Sequence, residues 1–181
     1  PIPYQGSKRA LAPSILEFVS PGIGMFYEPF AGSAAVTLAA ANRQLAQRFM
    51  ISDILKPLAD IWAMIVNRPE ELASGYEAIW KAQLGNERVY FDKIRDQFNA
   101  DHDPCKLLYL IARCVKNSVR FNAQGQFNQS PDNRRLGMAP QKMKERIRYS
   151  HLLLANKTLV DSGDFREILA DVTAKDFVYM D

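Results

Sequence analysis

Apolar positions along the chain change their spacing twice, dividing it into three stretches. Up to about Lys56, short apolar runs alternate with helical patterns. Met25, Phe26 and Tyr27 predict a strand, residues 33–47 an alanine-rich helix, and Phe49, Met50 and Ile51 a second strand, together one βαβ unit. From about Lys157 the same style returns: Thr158, Leu159 and Val160 predict a strand, 165–169 a short helix, and Phe177, Val178, Tyr179 and Met180 a buried strand. Strands alternating with helices predict an α/β fold with a mostly parallel, doubly wound sheet. The intervening stretch has almost no β-like run. Residues 57–66, 70–84, 87–98 and 104–119 place apolar side chains at three- and four-residue steps, as in Leu107, Leu108, Ile111 and Val115. This predicts a helical insertion at 57–150 between a first part of the sheet domain at 1–56 and a second part at 151–181. Within it, 124–140 is rich in Gly, Pro, Asn, Gln and Ser and predicts a loop.

Of the 181 residues, 48% are hydrophobic and 24% charged, which excludes a disordered or collagen-like chain. No apolar run approaches the roughly 20 residues that span a bilayer. Pro1, Ile2, Pro3 and Tyr4 lack the pattern of a signal peptide, so a soluble cytoplasmic protein is expected. Cys105 and Cys114 lie nine apart on one predicted helix, hence on opposite faces, which argues for core residues rather than a disulfide or zinc pair. His102 and His151 stand alone, and no metal-ligand spacing is present.

Charge changes the picture once it is located. The net charge is +3, but residues 113–148 hold nine basic and two acidic residues, so this segment carries +7 and the remainder −4. One basic segment on a mildly acidic body suits contact with a polyanion, because neutralised phosphates release counterions. A solvated basic helix would give the same count. The predicted loop inside this segment is a candidate nucleic-acid reader.

Phe30-Ala31-Gly32-Ser33 ends the first strand just before a helix, where glycine lets a ligand approach the backbone and free N–H groups face an anion. The second strand ends in Ser52-Asp53, the place where a carboxylate holds the ribose of an adenosine cofactor. A plain structural turn accounts for a lone glycine equally well. The dinucleotide pattern G-x-G-x-x-G is absent, which weighs against a dehydrogenase.

Five motifs in order resemble Dam-type adenine-specific DNA methyltransferases. They are Tyr4-Gln5-Gly6-Ser7-Lys8-Arg9; Tyr27-Glu28-Pro29-Phe30-Ala31-Gly32-Ser33 with Ser52-Asp53-Ile54; the stretch from Tyr90 to Asn99; Arg120-Phe121-Asn122-Ala123-Gln124-Gly125-Gln126-Phe127-Asn128; and Val178-Tyr179-Met180-Asp181. The match runs from end to end. It implies a Rossmann-like S-adenosylmethionine-dependent methyltransferase sheet with an inserted helical DNA-recognition domain, acting on double-stranded DNA without a metal or a membrane.

By this resemblance, Tyr4, Gln5, Gly6 and Lys8 lie at the cofactor site, and the turn with Glu28, Phe30, Gly32 and Ser33 lies against the methionine part. Asp53, followed by Ile54, holds the ribose, and Asp164 with Phe165 meets the adenine; an N-cap of the following helix is the alternative for Asp164. Asp181 is the first residue of the family's Asp-Pro-Pro-Tyr motif, whose carboxylate accepts a hydrogen bond from a flipped adenine. The chain stops there, so it is expected to be truncated at this motif, with its C-terminal half as a further partner. Arg9, Lys116, Asn117, Arg120, Asn122, Arg134, Arg135 and Lys142 are implied DNA contacts, Arg120 and Asn122 suiting purine edges and residues 142–148 forming a backbone clamp.

The stretch Arg113-Cys114-Val115-Lys116-Asn117-Ser118 and the sequence Gln129-Ser130-Pro131-Asp132 depart from the Dam pattern. The resemblance therefore leaves open GATC or the target of a restriction-modification enzyme with a cognate endonuclease. A cofactor- and DNA-binding fragment and an RNA adenine methyltransferase are the alternatives to a DNA-methylating enzyme; the helical insertion favours DNA.

Overall fold

The computed structural model describes all residues, Pro1–Asp181. Its centre is a four-stranded, wholly parallel sheet built from β1 (Ile23–Glu28), β2 (Ala46–Ser52), β3 (Thr158–Asp161) and β4 (Phe177–Val178), in the order β3-β2-β1-β4. Phe26 of β1 faces Phe49 on one side and Phe177 on the other, with ring centroids 6.2 and 5.2 Å away. The order of strands reverses between β1 and β4, and parallel sheets open a crevice at the carboxyl ends of their strands at such a point.

Between β1 and β2 runs α2 (Ala35–Asn42), shorter at both ends than the pattern predicts. Ala34 and Gln44 have φ of 43° and 55°, so left-handed backbone stops the helix on each side, and β2 begins three residues before its apolar run. Ahead of β1, a 3-10 turn at Lys8–Ala10 leads into α1 (Ala12–Ile15), pieces too short to leave a periodic signal.

The helical layer comprises α3 (Lys56–Asn67), α4 (Pro69–Ala82), α5 (Glu87–Asp101), α6 (Pro104–Arg113) and α7 (Pro140–Leu154). Four of these helices carry proline in the first turn, where its fixed φ suits a helix and its missing N–H costs nothing. Asp103 caps α6 by accepting from Cys105 N and Lys106 N at 2.7 and 3.1 Å. One contiguous core of 36 buried residues runs from the sheet into the helices. The last helix, α8 (Phe165–Ile168), lies between β3 and β4.

Three expectations need correction. The helix predicted at 104–119 ends at Arg113: Cys114 is extended, Lys116 and Asn117 are left-handed (φ 58° and 52°), and the Asn117 amide caps the Ile111 carbonyl at 2.9 Å. Cys114 is therefore off the helix, buried, with its thiol on the Ile111 and Ser118 carbonyls, while half-buried Cys105 packs on Gly75 of α4. Both thiols are free, and burial pushes them up to about 11 for Cys114 and about 12 for Cys105. The final strand covers Phe177–Val178 rather than four residues, although Tyr179 N still donates to Tyr27 O at 2.9 Å.

Residues 118–139 form an irregular but anchored loop. Its hairpin is closed by bridging of Phe121 with Phe127, and Asn99 of α5 clasps Phe127 through both backbone groups at 2.8 and 3.1 Å. Buried Arg113 donates to Gln83 Oε1 at 3.0 Å and to the Asp132 carbonyl, fastening the far end of the loop to α4 and α6.

Candidate functional site

At the carboxyl ends of β1, β2 and β4 lies a cavity of about 380 Å³. Glu28, the last residue of β1, is buried beneath it. Its Oε2 accepts Thr37 N at 2.8 Å, standing in for the absent N-cap side chain of α2, and burial pushes the carboxyl up to about 7. The chain then turns through Phe30 to Gly32, which has φ +48°; a Cβ there would lie 3.1 Å from the Tyr4 ring. Gly32 is held from two further sides, its N–H donating to Asp53 Oδ2 at 3.0 Å and its carbonyl accepting from Trp62 Nε1 at 2.9 Å. The other oxygen of Asp53 accepts Leu55 N at 3.0 Å, and each oxygen keeps acceptor capacity. Burial raises the Asp53 carboxyl above its ordinary range.

The N-terminal segment forms the opposite wall. Gly6 (φ +84°) lets it turn, Ser7 Oγ meets Ser33 Oγ at 2.8 Å, and Lys8 pairs with Asp181. The Asp181 carboxylate raises the Lys8 ammonium further. Gln5 reaches away from the sheet: its N donates to Asn117 O at 3.0 Å and its Oε1 accepts from Ser118 Oγ at 2.5 Å.

The cavity thus gathers Tyr4, Gln5, Gly6, Lys8, Glu28, Phe30, Gly32, Ser33, Asp53 and Asp181. Ile54, Asp164 and Phe165 do not line it. Ile54 is 74% exposed, Phe165 reaches the cavity only through Phe30 (centroids 5.4 Å apart), and Asp164 N-caps α8, accepting Arg166 N at 2.9 Å. The Arg166 guanidinium also pairs with Asp164 and holds its carboxyl down to about 2. Ser7, Ala31, Ala35 and Tyr179 line the cavity as well. Ser7, Ala31 and Tyr179 stand inside the resembling motifs, the one signal that pointed to them, and Ala35 lies two residues beyond one.

Among the residues implied for DNA, Lys116 and Arg120 are exposed and make no ion pair. The two asparagines are committed locally: Asn117 caps α6, and Asn122 holds the hairpin turn, accepting Gln124 N and Gln126 N at 3.0 and 2.9 Å and donating to Gln126 Oε1. Arg134 and Arg135 both pair with buried Asp132, whose carboxyl they hold well below the usual range. Arg9 is exposed beside α7, and Lys142 stands in its first turn. The clamp expected over 142–148 is split, because Arg148 donates both Nε and Nη2 to Glu70 of α4 at 2.6 and 2.8 Å, and Lys144 lies 3.7 Å from the same carboxylate. No group of three or more His, Cys, Asp or Glu side chains is placed to hold a metal ion, and no helix is long and apolar enough to cross a membrane.

A parallel α/β sheet with a glycine turn and carboxylates at its switch point is the build of a Rossmann-like methyltransferase. The chain belongs to the D12 class N6 adenine-specific DNA methyltransferase family, whose profile matches residues 4–181. It is similar to the type II methyltransferase M.MjaIII of Methanocaldococcus jannaschii, with 26% identity over 170 residues that cover 88% of this chain. The chain spans 58% of the length of that relative.

Proposed function

We propose that the protein transfers a methyl group from S-adenosylmethionine to the exocyclic amino group of an adenine flipped out of duplex DNA. The observation that carries this reading is the cavity itself, in which the Gly32 turn, Asp53 and the Lys8–Asp181 pair meet at the switch point of the sheet. The residues suit that cofactor chemically: carboxylates from Glu28, Asp53 and Asp181 match a sulfonium and an ammonium, and Lys8 matches a carboxylate. Asp53, fixed by two backbone N–H groups, would accept the ribose hydroxyls, and the tight Gly32 turn would lie against the methionine part. Bound there, S-adenosylmethionine supplies an electrophilic methyl group.

Asp181 then accepts a hydrogen bond from the adenine amino group and holds its nitrogen in line, while Lys8 pairs with the same carboxylate and orients it. Positioning supplies most of the rate. The helical layer and its anchored loop present the DNA, with Arg120 and Lys116 free to reach it. We extend the reading to a restriction-modification setting with a cognate endonuclease, supported by the type II name of the relative, and to a cytoplasmic location, where such DNA is met.

The test is to incubate the protein containing this chain with methyl-labelled S-adenosylmethionine and adenine-containing duplexes, then digest to nucleosides. Label in N6-methyladenine is expected. Label in cytosine or in RNA alone would overturn the reading, and binding of cofactor and DNA without transfer would reduce the chain to a binding fragment.

A further inference from the structure

The basic residues of the helical layer fall into two groups by what they face. On α7, Lys144 and Arg148 turn to α4 and share Glu70. Lys142 and Arg146, also one turn apart, make no ion pair, and the neighbouring Glu145 is held by Gln141 at 2.9 Å. With Arg135 from the anchored loop, these two line a separate cavity of about 350 Å³. Its other walls, among them Pro3 and the Asn117 side of the α6 terminus, are neutral, and no carboxylate lines it. Arg135 is presented rigidly, since its Nε donates to buried Asp132 at 2.9 Å while the rest of the guanidinium keeps its donors. Arg146 also lines the adjoining groove with Arg9, which extends the row to the segment that walls the cofactor cavity.

We propose that the cavity of Arg135, Lys142 and Arg146 seats a backbone phosphate of the DNA, with Arg9 continuing the track. This rests on the proposed DNA substrate and adds where the strand runs. Two cations without an ion pair, Lys142 and Arg146, and a third, Arg135, oriented by buried Asp132 around one neutral-walled cavity favour a phosphodiester, and a backbone contact orients the duplex without reading its sequence. The faces of α7 therefore divide: the 142/146 face binds DNA, and the 144/148 face binds α4.

The experiment compares Lys142→Gln/Arg146→Gln with Lys144→Gln/Arg148→Gln. Anisotropy titrations use two duplexes of unrelated sequence between 50 and 200 mM salt, with thermal melts to establish that each variant folds. Losing two phosphate contacts lowers the slope of log K against log[salt] by about 2, so the first variant's deficit relative to wild type shrinks about tenfold across that range, equally on both duplexes. The second pair leaves the slope unchanged, and Lys142→Arg/Arg146→Lys restores it. An unchanged slope in the first variant, equal losses in both pairs, or a loss confined to one sequence overturns the proposal. Tighter binding of an RNA duplex than a DNA duplex by wild type would overturn DNA as the occupant. Wild type that binds no duplex at 50 mM salt would overturn the proposed function itself.

Discussion

Asp53 fastens the Gly32 turn and, in the function proposed above, holds the cofactor ribose, and replacing it separates the two roles. In Asp53→Ala, the N–H groups of Gly32 and Leu55, each 3.0 Å from a carboxylate oxygen, lose their acceptor. Hydrogen bonds to a charged group contribute about 1.5–3 kcal/mol each, but the side chain is only half-buried and water recovers part, leaving a loss of about 2 kcal/mol. For a chain of this size that corresponds to a fall of about 4–8 °C in Tm. Removing a charged acceptor for the ribose hydroxyls costs a further 1.5–3 kcal/mol in binding, roughly a 10- to 100-fold rise in Kd for S-adenosylmethionine. Asp53→Asn keeps one acceptor oxygen and is expected to lose about half as much on each count. Thermal melts and isothermal titration calorimetry read the two effects. A folded Asp53→Ala protein with unchanged cofactor affinity would remove Asp53 from the site, and an unchanged Tm would show that the two hydrogen bonds do not hold the turn.

Three further outcomes are expected. Because burial lifts the Glu28 carboxyl from 4.5 to about 7, the folded state binds more protons than the unfolded state between those values. Stability should therefore fall as pH rises from about 4.5 to 7, by up to about 3 kcal/mol, and Glu28→Gln should flatten that dependence in denaturant titrations; a profile identical to wild type would refute it. Trp62→Phe deletes the donor to the Gly32 carbonyl in a fully buried site and should cost about 2–3 kcal/mol in urea unfolding, with weaker cofactor binding; no change in either would mean the contact is dispensable. Arg120→Ala should weaken duplex binding about tenfold while sparing cofactor affinity, and an unchanged Kd and salt slope would take this exposed residue off the DNA face.

The parts of the fold legible in the sequence are those set by local spacing. β1, α2 and β2 follow from a period change around Gly32, and the carboxylate at the end of β2 follows from the logic of a parallel sheet. The end of α6 was hidden because Val115 and Val119 continue the helical spacing, while the break is made by the left-handed pair Lys116 and Asn117, whose cap reaches back to Ile111. Long-range partners were equally invisible. Trp62 supports Gly32 from 30 residues away, and Glu70 claims Lys144 and Arg148 from more than 70, so the basic segment that reads as uniform in sequence is divided in space. Asp164 carries two roles compatible with its sequence, and its local geometry displays the capping one.

In the proposed function, the crevice at the ends of β1, β2 and β4 is the cofactor site. Ultraviolet crosslinking of radiolabelled S-adenosylmethionine, followed by peptide mapping, tests it most directly. Label is expected in peptides containing Tyr4 to Lys8 and Glu28 to Ser33, suppressed in Asp53→Ala. Label instead in the groove of Arg9, Leu38 and Tyr149 between α2 and α7, unaffected by that substitution, would contradict it.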